Sequence, residues 1–174
     1  CKYFIQLDDD YTTFNHTINP ENVYLTSRPK VKCLDNVFKA LLDFANASAA
    51  ASISTAQGGD FIGGPSSSIA KKALPRKCMN SFICSTERPF IFVGRINEDV
   101  NTYTTKARTG LLLFTYPKIR LEQKQTQSNA GGMTDLYLNS GTYVKSFYSV
   151  MYCPSAVSIK GMKVSHMRLH HSVS

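Results

Sequence analysis

Short apolar runs, each cut off by an acidic, glycine-rich or proline-bearing stop, constrain this chain more than any other feature. Residues 2–7 (KYFIQL) end in Asp8, Asp9 and Asp10; residues 81–85, 89–93, 110–115 (GLLLFT) and 157–162 are similar, and the small, β-branched stretch 49–56 can join them. Runs of this length bounded by turn signals read as strands, the first of them buried. Between them, residues 34–46 carry Val37, Phe38, Leu41, Leu42 and Ala45 at helical spacing, with Asp35 or Asn36 as a cap. A second helix starts near 99–106, and 136–151 reads as helix or mixed structure. Residues 15–32 read as loop with at most one short strand, and 157–162 as the final strand before a His-rich tail. Strands alternating with helices predict an α/β layer architecture, here in a single domain over 1–174.

Charge narrows the choice of partner. Twenty Lys and Arg against twelve Asp and Glu give a net charge of +8 over 174 residues, which suits a polyanion such as nucleic acid or a nucleotide diphosphate. No apolar run approaches the roughly 20 residues that span a bilayer, so no membrane partner is expected. Five scattered cysteines, odd in number and without a CxxC pair, argue against a zinc site or a disulfide framework and for a reduced, cytoplasmic protein. The chain starts at Cys1 and runs at once into an apolar strand, so a fragment is expected.

Five constellations bear on chemistry. Asp8 and Asp10, two apart after a strand, can aim both carboxylates at one point, as Mg²⁺ or Mn²⁺ on a nucleotide's phosphates requires; a solvated acidic turn is the other reading. Asn97-Glu98-Asp99 also follows an apolar run; a carboxylate there can serve as general base toward a hydroxyl, or merely open a helix. His166, Arg168, His170 and His171 offer imidazole and guanidinium to a metal or phosphate, or form a basic tail. Gly59 and Gly64 have P-loop separation, but Pro65-Ser66 stands where Lys-Ser/Thr is needed, which excludes a Walker site; Gly63-Gly64 can still admit a substrate close to the backbone, or simply turn. Lys71, Lys72, Arg76 and Lys77 form a basic cluster that can hold a nucleic-acid backbone or be a solvated face.

Taken in order, these motifs resemble a GT-A type glycosyltransferase read from its aspartate motif onward. More closely, GRINEDVNTY (94–103), QTQSNAGGMTDLY (125–137), GTYVKSFYSVM (141–151) and MRLHH (167–171) resemble the phage-type TET-associated glycosyltransferases, which are associated with adding sugars to hydroxymethylated bases in DNA. The resemblance implies a Rossmann-like mixed sheet flanked by helices. It also implies that the nucleotide-binding N-terminal portion of that fold is supplied by upstream sequence or a partner chain.

Residue by residue, the resemblance makes Asp8 and Asp10 ligands of Mn²⁺ or Mg²⁺, Asp10 the more direct, with His170 or His171 as the C-terminal ligand. It makes Asp99 the base of an inverting transfer and Glu98 its neighbour at the sugar. Asp9, Gly63, Gly64, Arg95, Asn97, Gly131, Gly132, Asp135 and Arg168 fall in strings expected near donor or acceptor, and Lys71, Lys72, Arg76 and Lys77 near DNA. The implied donor is a nucleotide sugar, UDP-linked first. The acceptor is a hydroxymethylated base in DNA, and the compartment is the cytoplasm, that of the host cell for a phage protein. A glycosyltransferase for polysaccharide or protein, and a non-catalytic nucleic-acid-binding relative, are the alternatives.

Overall fold

The computed structural model describes residues 1–124, 134–163 and 167–174. Its central strand is β3 (Ala50–Gln57), whose small and β-branched residues are buried almost throughout, Ile53 completely. Burial of so many hydroxyls needs partners, and they are present: Ser54 Oγ lies 2.9 Å from Thr115 Oγ1, and Thr55 Oγ1 lies 2.9 Å from Ser81 Oγ. Around β3 stand β1 (Tyr3–Gln6), β2 (Tyr11–His16), β4 (Phe82–Ser85) and β5 (Leu112–Gln123), in the order β1-β4-β3-β5-β2. Only β3 and β5 pair in parallel; every other pairing is antiparallel. Helix α1 (Leu34–Ala47) lays Leu41 and Ala45 on Ala50, Ile53 and Ile83, with Val37, Phe38 and Leu42 packed around them.

Strands β1 and β2 occupy opposite edges of this sheet, yet only residues 7–10 join them. A flat sheet of five strands would set its edges ~19 Å apart, beyond the ~17 Å that the chain from Gln6 to Tyr11 spans when extended. The sheet is therefore curled, and the acidic turn crosses its end. Lys124 N donates to the carbonyl of Asp10 at 3.1 Å, and Ser81 N donates to the Tyr11 hydroxyl at 3.2 Å, so the turn is tied to β5 and to the start of β4.

These elements belong to one of two compact units, Cys1–Phe90 with Leu111–Lys124. The second unit comprises Ile91–Gly110 and Gln125–Ser174. It holds α2 (Glu98–Ala107), α3 (Thr134–Tyr152) and the antiparallel pair β6 (Val157–Lys163) and β7 (Met167–Val173). Ser146 Oγ on α3 donates to the carbonyl of Leu169 on β7 at 2.9 Å, and Cys153 and Val157 are buried at the junction of α3 and β6. All five cysteines are free, and among the described residues no helix is long and apolar enough to cross a membrane.

The expected mixed α/β sheet with flanking helices is present, but several local expectations fail. The first strand is an edge strand with Phe4 50% and Ile5 38% exposed, not a buried one. Residues 89–93 form no strand: Pro89 has no N–H to give, and Val93 N donates to Thr102 Oγ1 at 2.8 Å instead of to a neighbouring strand. The strand at 110–115 continues to Gln123; its pairing with β3 slips between Thr55 and Ala56, and Pro117 lies in the slipped stretch, which a bulge tolerates. Residues 167–173 are a strand rather than a tail, and β2 was hidden by its polar composition. Helix α1 begins at Leu34, which puts Asp35 in its first turn and Cys33, without a side-chain bond, at the cap.

Candidate active site

Strands β1, β3 and β5 run the same way, so their carboxyl ends meet the starts of β2 and β4 at one end of the sheet. Carboxyl ends of parallel strands are where open α/β sheets bind ligands. That end carries the acidic turn 8–10, the glycine turn that follows β3, residues 77–81, and Glu122 with Lys124. Asp8 and Asp9 are exposed. Asp10 is partly withdrawn, and its Oδ1 is buried without a hydrogen-bond partner. Burial first, then the charges of Asp8 and Asp9, raise its pKa above the ordinary carboxylate value.

The glycine turn is a short 3-10 stretch, Gly58–Phe61, closed by reciprocal bonds between Gln57 and Asp60; Gln57 N donates to Asp60 Oδ2 at 3.0 Å. Lys77 forms an ion pair with Asp60, and Arg120, 7% exposed, forms one with Glu122. Lys77 is thus engaged within the fold, whereas Lys71, Lys72 and Arg76 are exposed. Gly63 has φ +93° and ample space around it, so its glycine serves the turn rather than a close approach. Nδ2 of Asn80 is buried at this same end without a partner.

The second unit carries Asn97, Glu98 and Asp99. Asn97 occupies the cap position of α2 in the left-handed region, φ 50° and ψ 44°, but its side chain caps nothing. Glu98 and Arg95 are exposed. Asp99, in the first turn, accepts from Val100 N at 2.7 Å. Its pKa rises to about 6, with burial the main cause and the Glu98 charge adding to it, against the opposing pull of Val100 N and Lys145. A carboxylate with that proton affinity is poised to gain and lose a proton near neutral pH.

On β7 the two histidines alternate in exposure. His170 is exposed and its Nδ1 lies 2.6 Å from the carbonyl of His171. His171 is half-buried, and burial, His170 and Lys145 lower its pKa to about 4, so it is neutral at physiological pH. Asp135 and Arg168 fall on α3 and β7, where the backbone alone is described; Gly131, Gly132 and His166 lie outside the described residues. Asp8, Asp9 and Asp10 belong to one unit, His170 and His171 to the other, and among the described residues no group of three or more His, Cys, Asp or Glu is placed to hold a metal. Asn80, whose buried Nδ2 has no partner, had no signal in the sequence.

A curled mixed sheet with a carboxylate cluster at the ends of its parallel strands, and in the second unit a carboxylate of raised pKa at a helix start, define an α/β protein. The chain belongs to the TET-Associated Glycosyltransferase family, whose model matches residues 1–132, about three-quarters of its length. That match includes the acidic turn and the whole of GRINEDVNTY, and stops before α3. No curated protein and no solved structure matches the chain.

Proposed function

We propose that this glycosyltransferase moves a sugar from a nucleotide-sugar donor to the hydroxyl of a hydroxymethylated base in DNA. The observation that carries the reading is the family match over residues 1–132, which takes in Asp99 at the start of α2, where burial raises the carboxyl pKa to about 6. Asp99 removes the proton from the acceptor hydroxyl as oxygen attacks the anomeric carbon, the bond from that carbon to the diphosphate breaks, and Glu98 contacts the sugar. Attack opposite the leaving group makes the transfer inverting. The GT-A relationship remains part of this reading.

Asp10 fits a hard divalent cation, Mn²⁺ or Mg²⁺, because it keeps a buried carboxylate oxygen without a partner beside two exposed carboxylates, and such ions take only one or two protein carboxylates in nucleotide sites. When bound, the ion supplies charge neutralisation to the diphosphate leaving group. Asp8 is the second carboxylate in this assignment. Lys71, Lys72 and Arg76 hold the DNA backbone, and the target base is presented unstacked, at a cost of a few kcal/mol.

The test is incubation with Mn²⁺, a panel of nucleotide sugars and hydroxymethylcytosine-containing DNA, followed by nucleoside mass spectrometry. A nucleoside heavier by one sugar, formed by wild type and reduced on the order of 10²–10⁴-fold by Asp99→Asn, supports reaction, acceptor and base together. Modification of a polysaccharide or protein in place of DNA would move the acceptor. Full turnover by Asp99→Asn would remove it as base.

A further inference from the structure

We propose that Asn97 is a positioning residue for Asp99: its carboxamide, anchored on α3, fixes the turn from which Asp99 acts. This inference rests on the reading of Asp99 as base. It also changes the expectation for Asn97, which the family resemblance places at donor or acceptor. Asn97 is buried, 7% exposed, and its Nδ2 donates to the carbonyl of Lys145 at 2.6 Å and to Ser149 Oγ at 3.1 Å. Both hydrogens of the amide are engaged inside the fold, which leaves none for a substrate. The backbone agrees with this assignment. Residue 97 lies in the left-handed region, which Asn tolerates better than most side chains, so the position demands Asn for its conformation and its amide at once.

The rest of the loop is held with equal care. Asn101, fully buried, donates from Nδ2 to the carbonyls of Val93 at 3.1 Å and Ile96 at 2.8 Å. Val93 N donates to Thr102 Oγ1 at 2.8 Å, and Asn101 N donates to Asn97 O at 2.9 Å. Gly94, at φ +78°, passes so close to Asn101, Tyr148 and Tyr152 that a Cβ would meet atoms at 2.9–3.0 Å. The loop 93–97 is therefore sewn to α2 by Asn101 and Thr102, and to α3 by Asn97. Two residues past that second tie stands Asp99, half-buried in the first turn of α2, with the charge of Lys145 on α3 acting on it. Geometry set by a remote anchor matters to rate, since a displacement of ~1 Å at a reacting group can cost ~10²-fold.

Two substitutions separate backbone from amide. Asn97→Gly keeps the left-handed conformation without strain and deletes the amide; Asn97→Asp keeps the shape and sets an oxygen where the amide faced the carbonyl of Lys145. The first readout is the titration of Asp99 followed by carboxyl ¹³C NMR, with Glu98 and Lys145, the charged groups that act on it, left in place. Wild type should titrate near 6, and Asn97→Gly about 1 pH unit lower, a tenfold change in the ionisation constant, as water reaches the carboxyl. In the sugar-transfer assay both variants should lose about tenfold or more in kcat with donor KM within about twofold. An unchanged Asp99 titration in a folded Asn97→Gly protein overturns the proposal. So does a raised donor KM at unchanged kcat, which would make Asn97 a substrate ligand. Full turnover in Asp99→Asn refutes the base assignment itself, whatever Asn97 does. If Asn97→Gly does not fold, Ser149→Ala, which removes one acceptor and leaves Asn97 in place, must shift the Asp99 titration in the same direction; no shift overturns the proposal.

Discussion

Asp99 costs the fold something for the proton affinity that makes it useful. Its folded pKa of about 6 lies above the ordinary 3.8, so the protonated form is the one the fold favours. Stability tied to that proton is fully present below about pH 3.8 and is lost as pH rises through about 6. Asp99→Asn, which cannot ionise, should therefore melt higher than wild type at pH 8 and at nearly the same temperature at pH 4, as differential scanning calorimetry will show. A wild-type advantage at pH 8 would mean that Asp99 is stabilised as a carboxylate. Gly94→Ala should act in the opposite direction at every pH. Positive φ and contacts of 2.9–3.0 Å are both against it, an expected loss of about 1–3 kcal/mol and several degrees of melting temperature. The sequence exposed Asn97, Glu98 and Asp99 as a unit because polar residues after an apolar run are visible. It could not divide their labour, because the bonds that hold Asn97 come from α3, nearly forty residues further along the chain, and the pKa of Asp99 comes from burial in the folded chain and the charge of Glu98.

At the scale of elements, what was legible was whatever had an uninterrupted pattern. Helix α1 shows its stripe at Val37, Phe38, Leu41 and Ala45, and β4 and β6 are short clean runs. Strand β5 was visible only to residue 115, because Pro117, Lys118 and Arg120 look like a stop. In the fold Pro117 sits where pairing slips and Arg120 turns its charge to Glu122, so each apparent breaker has a local remedy. Strand β7 was unreadable for a similar reason: alternating His, Leu and Arg gain their regularity from pairing with β6. Strand β3 carries the sheet, and Ile53→Ala, at a completely buried site between α1 and β4, should cost about 2–5 kcal/mol by chemical denaturation. A loss below about 1 kcal/mol would show that the first unit does not unfold around that strand.

Over the whole molecule the charge of +8 is divided unevenly in use rather than in number. Lys77 and Arg120 are committed to Asp60 and Glu122, while Lys71, Lys72 and Arg76 face solvent and can contribute to binding a polyanion. If they neutralise phosphates, replacing all three with Ala should flatten the dependence of log K on log salt by about 0.9 for each phosphate no longer neutralised, measured by fluorescence anisotropy on DNA. An unchanged slope would place the nucleic-acid interface elsewhere. The acidic turn has a consequence of another kind. Residues 7–10 bridge two edges of one curled sheet, so their reach is tied to how far its five strands curl. Adding a residue between Asp8 and Asp10 would move the carboxylates even if each side chain were retained, and removing one would open the pairing of β1 or β2. The place of the acidic cluster is governed by chain length, and its chemistry can be altered by substitution but not by insertion.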